Sequence, residues 1–584
     1  MDALHRSTLY TALKERYAIS RATPIRKGLS GDKKYRLDTA DGQHMLLRVS
    51  DLAEHDAKKA AYDLQVRLAD AGIATPRPIS FGISAPDQIV FQLQEWVDGE
   101  DVHSALQHLP AARQYLLGVQ AGELLRRIHA LPAPEGLPAW SARYDDTMAP
   151  RMAAYRAEGV PFAGSDTVLA HLARGRSLLP ARPQCFLHGD FHAENLMVDA
   201  DGALYAIDWL DDGFAHAGDP WYDLKTFGEN QNPYFSTGLV HGYFGSKKPP
   251  RAFWDTLTFY AVGAALMAVV WHKYHRPEGL AACLQCNERN ARSLQAGQPP
   301  LLQWYLPAVH VQWCGGVPCL LKARFSLAFL REYGDIFEVF DTQRSGNLCF
   351  GMHKGGHRYF VKFAGAPTLH YDGAPEEMVA LLRAAADTYR DLAHPSLIRL
   401  LAAEAVSGGY MLVFAWTDAV CAGRDDPASR AYFMALPTAV RMRVFEDILA
   451  FHRHAARRGY VAIDFYDASI LYDVEKQETV ICDIDLYQRA PYVGALGRWG
   501  SASFVSPEEV TPGAVMDELT TVHTMGQTVF ALLTESDRSP EAWPLSPALY
   551  AVAQQAIRAE RGERQPSLAA LAAAWRAAKR VGTP

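Results

Sequence analysis

The feature that most constrains the fold is a repeat in the order of predicted elements along the 584 residues. The first copy begins with strand patterns around one helix and continues as a mostly helical stretch that is interrupted by a short strand-and-loop segment. The same order begins again near Phe337. Because an ordinary domain has roughly 100 to 200 residues, the sequence predicts two large folding units, 1–300 and 335–584, with a connector at 301–334.

Turn and periodicity signals predict the sheet of each half. Asp41-Gly42 separates two short apolar runs, which is typical of a β-hairpin. Apolar residues at helical spacing from Ala60 to Leu68 predict the helix that follows, and a further strand is predicted at 89–93. The second half repeats this pattern with a strand at 359–363, a helix at 376–390 and a strand at 410–414.

The composition favours folded units and gives no sign of a nucleic-acid or membrane partner. Apolar residues make up 49% and charged residues 21% of the chain, close to the averages of globular proteins. A net charge of −7 provides no basic footprint for a nucleic acid. The longest apolar run, Leu257–Trp271, is shorter than the roughly 20 residues of a membrane span, so we interpret it as a buried helix. The N-terminal segment also lacks the apolar core of a secretory signal, and we expect a cytoplasmic protein.

The eight cysteines do not form a disulfide framework, which is consistent with a reducing compartment. Cys283, Cys286, Cys314 and Cys319 supply two thiol pairs that resemble a zinc ribbon. The second pair has a longer spacing and no histidine completes a familiar zinc pattern, so we interpret these residues as structural thiols.

One constellation in the first half has the residue types of a phosphoryl-transfer site. Asp190 is followed by Asn195 five residues later and by Asp208 at the end of an apolar run. The amide of Asn195 and the carboxylate of Asp208 are the hard oxygen ligands that Mg²⁺ prefers. Asp190 is then left to orient an incoming hydroxyl and to accept its proton. We therefore predict Asp190 as catalytic and Asn195 and Asp208 as metal ligands.

The segments His188–Asn195 and Ile207-Asp208 resemble the catalytic and metal-binding loops of the aminoglycoside phosphotransferase family, which includes macrolide and choline kinase relatives. The segment Gly218–Asp223 resembles the part of that family that follows its metal aspartate. The similarity covers roughly residues 15–300. It implies ATP and Mg²⁺ as cofactors and, as acceptor, a hydroxyl of a small molecule such as a cationic, sugar-like compound.

The same resemblance assigns nucleotide contacts in the strand-rich part of the first half. Arg48 stands where the family usually has the strand lysine that reaches the phosphates, and Asp63 is the acidic residue that we pair with it. Glu95 to Val97 resembles the segment that receives adenine through backbone groups. The stretch 27–31 contains two glycines and is either a phosphate-contacting loop or an ordinary hairpin turn.

The second half repeats the spacing of the first constellation. Asp464 is followed by a polar residue at plus five, Ser469, and by a strand-end aspartate, Asp483. The separation from Asp464 to Asp483 is 19 residues, against 18 from Asp190 to Asp208. The spacing predicts a second site of the same kind.

The second half resembles the eukaryotic-type serine/threonine protein kinase family over about 335–580. The resemblance implies that Asp464 is catalytic, that Ser469 and Asp483 bind metal, and that Lys362 is the strand lysine. The segment 500–508 resembles the end of an activation segment, and it implies a buried ion pair between Glu508 and Arg564. Together the two resemblances imply an α+β fold of two tandem bilobal kinase-like domains, each with a small antiparallel-sheet lobe and a mainly helical lobe.

The second half also departs from that family. Ser469 replaces the metal-binding asparagine, and a hydroxyl fits Mg²⁺ less well than an amide oxygen. Ala462 and Ile463 replace the His-Arg that precedes the catalytic aspartate, and Asp485 replaces a glycine and is a further candidate metal ligand. Glu376 or Glu377 is the candidate partner of Lys362. The second half is therefore either a working kinase with unusual parts or a pseudokinase.

Two functions follow from these assignments. In the first, the N-terminal half phosphorylates a hydroxyl of an aminoglycoside-like compound, with the acidic residues Asp211, Asp212 and Glu229 as candidate contacts for a cation. In the alternative, the chain is a signalling serine/threonine kinase or pseudokinase assembly. One half then regulates the other, or the C-terminal half phosphorylates a protein.

Overall fold

The computed structural model describes most of the chain and divides it into two compact units. The units are Met1–Pro307 and Ala308–Pro584. The described residues are 3–26, 31–209, 213–226, 232–245, 247–300, 304–424, 426–494 and 503–581.

The N-terminal unit begins with a five-stranded antiparallel sheet in the order β1-β2-β3-β5-β4. The strands in the described residues of this unit are β1 Ile19–Ile25, β2 Lys33–Thr39, β3 His44–Asp51, β4 Pro78–Ser84, β5 Ile89–Glu95, β6 Gly99–Asp101, β7 Cys185–Phe186, β8 Leu196–Asp199, β9 Leu204–Ala206 and β10 Ala217–Gly218. The predicted hairpin is confirmed as β2–β3, and Gly42 has a φ of 85°, a conformation that glycine adopts without strain.

Helices form most of the remainder of this unit. They are α1 Thr8–Tyr17, α2 His55–Asp70, α3 Val102–Ala105, α4 Ala111–Ile128, α5 Trp140–Glu158, α6 Ser165–Gly175, α7 Pro233–Phe244, α8 Arg251–His275 and α9 Leu280–Gln295. Helices α4 and α7 pack with their backbones close together, because glycines face each other across the contact. A Cβ placed on Gly122 would lie 2.1 Å from the carbonyl oxygen of Leu239. Any side chain at that position therefore forces the two helices apart.

The apolar run that the sequence predicts as a buried helix is α8, and it is buried on one face only. Leu257, Leu266 and Val269 are almost fully buried, whereas Met267 is partly exposed and Trp271 is 40% exposed. Among the described residues, α8 is the helix that is long and apolar enough to cross a membrane by length and composition, and 56% of its most apolar window is buried within the unit. A core helix can meet the same criterion.

The C-terminal unit repeats the sheet order of the first, as β13-β14-β15-β17-β16. Its strands are β11 His310–Cys314, β12 Val317–Leu321, β13 Asp335–Phe340, β14 Asn347–Lys354, β15 His357–Ala364, β16 Leu400–Val406, β17 Gly409–Ala415, β18 Val420–Cys421, β19 Tyr460–Val461, β20 Ile470–Asp473, β21 Glu478–Ile481, β22 Gln488–Arg489, β23 Tyr492–Val493 and β24 Val515–Met516. Its helices are α10 Pro375–Asp391, α11 Pro427–Ala435, α12 Thr438–Arg457, α13 Glu518–Thr534, α14 Pro547–Ala556 and α15 Leu568–Val581. In each unit, one helix of more than ten residues follows the third strand of the five-stranded sheet. This helix is α2 in the N-terminal unit and α10 in the C-terminal unit.

The predicted connector at 301–334 is mostly part of the C-terminal unit. Hairpin β11–β12 lies inside this range, and its residues Cys319 and Leu321 pack with Leu348 and Phe363 of the five-stranded sheet. This segment is held in place because its apolar side chains are buried against the sheet, so it is not a solvated linker.

The two predicted thiol pairs lie in different units. Cys283 and Cys286 are on α9 of the N-terminal unit, whereas Cys314 and Cys319 are on the hairpin β11–β12. The sulfurs of Cys314 and Cys319 are 3.7 Å apart. Among the described residues, no group of three or more His, Cys, Asp or Glu side chains has the arrangement of a metal site.

Candidate active sites

The predicted catalytic loop of the N-terminal unit lies between β7 and β8, and His188 joins it to the segment that carries Asp208. The Nε2 of His188 lies 3.1 Å from the carbonyl oxygen of Ile207, and its Nδ1 accepts a hydrogen bond from the backbone N–H of Asp190 at 3.3 Å. Full burial lowers the pKa of His188 to about 4. A neutral ring that donates from Nε2 and accepts at Nδ1 satisfies both contacts. His188 therefore fixes the two predicted aspartate segments against each other.

Asp190 and Asn195, five residues apart in sequence, are in direct contact. The Asn195 amide donates to the backbone oxygen of Asp190 at 2.9 Å and to its carboxylate at 3.0 Å. Because the donors of the amide are used in this way, its oxygen remains as an acceptor for another group. Burial acts to raise the pKa of Asp190, but the hydrogen bond from His192 and the positive charge of Lys225 contribute to a net lowering. Asp190 is therefore an ionised carboxylate that can accept a proton.

A buried carboxylate, Asp223, supports the loop from behind. It accepts hydrogen bonds from the backbone N–H groups of His188 at 2.7 Å and Gly189 at 2.9 Å. Its side chain is fully buried and lies 3.1 Å from His129. Burial acts to raise the pKa of Asp223, and the hydrogen bond and charge of His129 outweigh that effect, so that the net shift is downward. The loop is thus held by charge-assisted hydrogen bonds.

Asp208 is paired with Arg48 in the cleft. An Arg48 guanidinium nitrogen lies 2.5 Å from the carboxylate, and Asp208 is 41% exposed. Asp208 has a φ of 54°, a conformation that is uncommon outside glycine and often marks a functional site. The predicted pair of Arg48 with Asp63 is wrong. Asp63 instead binds Lys59, one turn earlier on the exposed face of α2.

A different ion pair joins α2 to the residue that precedes β2. Lys58 lies 2.5 Å from Asp32, which also accepts a hydrogen bond from Ser50 at 2.7 Å. On the sheet itself, buried Gln65 of α2 accepts a hydrogen bond from Gln92 of β5 at 2.5 Å. Asp63 lies on the exposed face instead, and the sequence pattern did not reveal this orientation.

The other predicted contacts of this unit are only partly within the described structure. Glu95 is the last residue of β5, and the segment through Val97 runs from the sheet to β6. The carboxylate of Glu95 accepts a hydrogen bond from the backbone N–H of Arg77 at 3.2 Å. The glycine-containing stretch 27–30 and the acidic candidates Asp211, Asp212 and Glu229 lie outside the described residues.

In the C-terminal unit, the predicted strand lysine contacts the predicted metal aspartate. Lys362 Nζ lies 2.7 Å from Asp483 and 2.8 Å from Asp485. Burial disfavours the charged form of Lys362, but the two carboxylates hold its pKa well above the ordinary value. The predicted partner Glu376 is wrong, and so is Glu377. Both are exposed in the first turn of α10, and Asp485 supplies the second carboxylate instead.

Asp464 and Ser469 lie on the loop before β20, as Asp190 and Asn195 lie before β8. Burial is the main effect that raises the pKa of Asp464 to about 7, and the nearby charges of Asp483 and Glu509 add to it. The hydroxyl oxygen of Ser469 is fully buried and has no hydrogen-bond partner. Asp464 has a φ of 59° and Asp483 a φ of 57°. Asp208 and Asp483, which the sequence aligns, thus share the same uncommon backbone conformation.

The predicted ion pair between Glu508 and Arg564 is confirmed. Two guanidinium nitrogens of Arg564 lie 2.7 Å and 3.0 Å from the two carboxylate oxygens, and both side chains are buried. Arg561 adds a further contact at 2.9 Å. The described part of this segment begins at residue 503 and includes Glu508, whereas 495–502 lie outside it.

Several residues that shape these sites were not singled out from the sequence. They are His129, Lys225, Asp32, Lys58 and Tyr389. Each acts on a partner at least 18 residues away, so a local motif does not reveal it. Asp223 was part of a recognised segment, but its role behind the catalytic loop depends on a contact over 35 residues.

Comparisons with known proteins agree with the geometry of the N-terminal site. Residues 21–254 match the model of the phosphotransferase enzyme family and therefore form a domain of that family. No curated protein matches this sequence. The N-terminal unit thus belongs to the class of kinase-like phosphotransferases that act on hydroxyl groups.

Two solved structures are similar to part of the chain. One is an aminoglycoside-3'-phosphotransferase of type VIII, with 21% identity and a TM-score of 0.32, which covers 45% of this chain and 100% of that chain. The other is a streptomycin-ATP-APH(2")-IIa ternary complex, with 16% identity and a TM-score of 0.35, which covers 49% of this chain and 96% of that chain.

Proposed function

We propose that the N-terminal unit transfers the γ-phosphoryl group of ATP to a hydroxyl of a small molecule. The observation that carries this proposal is the linkage of the Asp190 loop to the Asp208 segment through His188, whose ring contacts the Ile207 carbonyl at 3.1 Å. This contact holds one carboxylate for the acceptor and one for the nucleotide side of the same cleft.

Asp190 is the residue that accepts the proton of the acceptor hydroxyl. The acceptor oxygen forms a bond to the γ-phosphorus, the bond to the bridging oxygen breaks, and ADP leaves with that oxygen. The hydroxyl proton passes to Asp190, which the hydrogen bond from His192 and the positive charge of Lys225 help to keep ionised against the effect of burial. Holding the acceptor against the donor contributes to the rate by removing the entropy of bringing them together.

The residues around Asp208 suit a metal-bound nucleotide. The amide oxygen of Asn195 and the carboxylate of Asp208 are hard donors, and the Nε of Arg48 is buried without a hydrogen-bond partner. Asn195 and Asp208 would hold Mg²⁺, which would supply neutralisation of the negative charge on the triphosphate. The guanidinium of Arg48, which pairs with Asp208, would supply positive charge to the phosphates, and the backbone of Glu95 to Val97 would receive the adenine.

The experiment compares matched variants of the full chain. Purified protein is incubated with Mg-ATP and a panel of hydroxyl compounds, and phosphate transfer is read by mass. Asp190→Asn abolishes transfer in this proposal, whereas Asp464→Asn, its counterpart in the other unit, leaves it intact. Transfer that survives Asp190→Asn would contradict the assignment.

A second function is favoured for the C-terminal unit by the contact of Lys362 with Asp483. This contact joins a strand of the sheet to the start of the loop that follows β21, as Arg48 is joined to Asp208 just after β9 in the first unit. We propose that the unit is a second kinase-like domain that takes up nucleotide. It either phosphorylates a protein serine or threonine or biases the N-terminal unit. Phosphate incorporation into protein that is lost only in Asp464→Asn supports the first option, and an altered rate of the N-terminal reaction in Lys362→Met supports the second.

A further inference from the structure

His192 lies two residues after Asp190, and both nitrogens of its ring are in contact with other groups. The backbone N–H of Glu194 donates to Nδ1 at 3.2 Å, which caps the short turn at Ala193–Asn195. Nε2 lies 3.3 Å from Oδ2 of Asp190. Because a backbone N–H can only donate, Nδ1 is an acceptor, and the ring is neutral with its proton on Nε2. His192 therefore donates a hydrogen bond to the Asp190 carboxylate.

The amide of Asn195 approaches the same carboxylate oxygen. Its nitrogen donates to the backbone oxygen of Asp190 at 2.9 Å and to Oδ2 at 3.0 Å. Because a backbone oxygen can only accept, it determines which end of the amide is the nitrogen. This nitrogen also lies 3.1 Å from Nε2 of His192, but both atoms carry hydrogens, so that contact is not a hydrogen bond. Two donors from different residues thus converge on Oδ2.

The other carboxylate oxygen of Asp190, Oδ1, faces no donor of this kind. Among the described residues, no N–H or O–H group donates to it. The side chain of Asp190 is 35% exposed and lines a cavity of about 570 Å³, so the carboxylate is open to a ligand. A proton acceptor must lie within hydrogen-bond reach of the proton and be correctly oriented. With Oδ2 held from two directions, Oδ1 is the oxygen that is available to a hydroxyl.

The second unit does not have this arrangement. Tyr466 stands two residues after Asp464, and Ser469 stands where the first site has its amide. The side chain of Tyr466 does not cap the turn at Asp467–Ser469. None of the described residues donates a hydrogen bond to the Asp464 carboxylate. The convergence of two donors on one oxygen is thus a property of the first site and not of this loop in general.

We propose that His192 is a positioning residue for the N-terminal reaction, which acts with Asn195 to orient Asp190 so that Oδ1 receives the proton of the acceptor hydroxyl. This inference rests on the proposed function. The O–H bond of the acceptor breaks as its proton moves to Oδ1, and the acceptor oxygen forms a bond to the γ-phosphorus. The electron pair of the bond to the bridging oxygen leaves with ADP. Without the His192 donor the carboxylate is less well aligned, which slows transfer and leaves nucleotide binding unchanged.

Two substitutions separate the roles of the two ring nitrogens. The side-chain oxygen of asparagine lies near the place of Nδ1, so His192→Asn keeps the acceptor that caps the turn and removes the donor to Asp190. The side-chain nitrogen of glutamine reaches near the place of Nε2, so His192→Gln keeps the donor and removes the acceptor. His108→Asn, at a histidine whose side chain is 60% exposed, is the control.

The full chain is supplied with Mg-ATP, with water as the acceptor, and release of ADP gives kcat and KM for ATP. We expect His192→Asn to lower kcat at least about ten-fold and to change KM less than about two-fold. His192→Gln should keep at least about a third of kcat, and His108→Asn should leave it unchanged. In the wild-type chain labelled with ¹⁵N-histidine, NMR spectra should show His192 protonated at Nε2, with its signals identified by their loss in His192→Gln.

The order of the two variants decides between positioning and packing. If His192→Asn kept kcat and His192→Gln lost it, the ring would serve only to cap the turn, and the inference would be overturned. Equal losses of kcat in both folded variants, or a wild-type ring protonated at Nδ1, would also overturn it. A wild-type chain that releases no ADP, or a release that Asp190→Asn leaves unchanged, would instead contradict the proposed function, and this inference with it.

Discussion

Lys362 and Asp485 form a buried ion pair in which the ammonium lies 2.8 Å from a carboxylate oxygen and both side chains are less than a tenth exposed. The other carboxylate oxygen accepts a hydrogen bond from Tyr389 of α10 at 3.0 Å. The hydroxyl of Tyr389 also accepts a hydrogen bond from the backbone N–H of Ile484 at 3.2 Å. Helix α10 therefore acts on the lysine through a tyrosine and an aspartate, rather than through a glutamate of its own.

Removing one member of this pair should destabilise the C-terminal unit. Asp485→Asn leaves the buried ammonium with one carboxylate, and we expect the free energy of unfolding to fall by about 3 kcal/mol. Tyr389→Phe removes both hydrogen bonds of that hydroxyl and should cost about 2 kcal/mol. Hydrogen exchange of the β15 amides in increasing urea reports the stability of this unit. Asp387→Asn, an exposed position on the same helix, is the control and should change it by less than about 0.5 kcal/mol.

The pair of Glu508 and Arg564 should be more sensitive to loss of one member than to loss of both. Glu508→Gln leaves the guanidinium buried and uncompensated, and we expect a loss of roughly 3 to 5 kcal/mol. The double variant Glu508→Leu with Arg564→Leu removes both charges and should recover part of that loss. Thermal unfolding of the single and double variants measures the difference. A double variant less stable than either single variant would show that hydrogen bonding, and not the buried charge, dominates.

The sequence predicted the parts of the fold that depend on local patterns. The hairpin at Asp41-Gly42 and the helix from Ala60 to Leu68 are present, because turn chemistry and helical spacing act over a few residues. The predicted strands at 359–363 and 410–414 are also present, within β15 and β17. The repeat in the order of elements along the chain was predicted from the same local signals, whereas the strand order that the two sheets share was not.

Long-range pairing was less predictable. Asp63 and Glu376 were predicted as the acidic partners of the strand cations because they lie on the helix after the third strand. Their position in the sequence does not determine which face of the helix meets the sheet. In the structure, Gln65 and Tyr389 occupy those faces. The Glu508–Arg564 pair was predictable because it came with a longer motif rather than from one charged residue.

Protonation of Asp190 should not slow the N-terminal reaction when the pH is lowered from 8 to 5. The pKa of Asp190 is lowered, so the carboxylate protonates only below the ordinary value of about 4, and activity that depends on it should be level between pH 5 and 8. Lys225→Met removes a positive charge beside Asp190 and should raise that pKa, so that kcat/KM falls more at pH 5 than at pH 8. Lys225→Arg keeps the charge and should keep the level profile. A uniform loss in Lys225→Met at every pH would indicate a role in packing alone.

Asp464, the counterpart in the second unit, should show the opposite relation between pH and stability. Its pKa is raised to about 7, so the folded state holds the proton more tightly than the unfolded chain does, whose aspartates ionise near pH 3.9. Stability therefore declines as the pH rises from about 4, and the full penalty is present above about 7.

Asp464→Asn removes this penalty, so it should stabilise the C-terminal unit by about 3 kcal/mol at pH 8 and by about 1 kcal/mol at pH 5. These values follow from roughly 1.4 kcal/mol per pKa unit, reduced because solvent screens the carboxyl in part. Hydrogen exchange of the β15 amides at the two pH values measures the difference. The matched variant Asp190→Asn should give no such gain in the N-terminal unit, because the pKa of Asp190 is lowered. An equal effect of Asp464→Asn at both pH values would mean that the carboxyl is not held in its neutral form, and the second site would then have an ionised base at pH 7, as the first has.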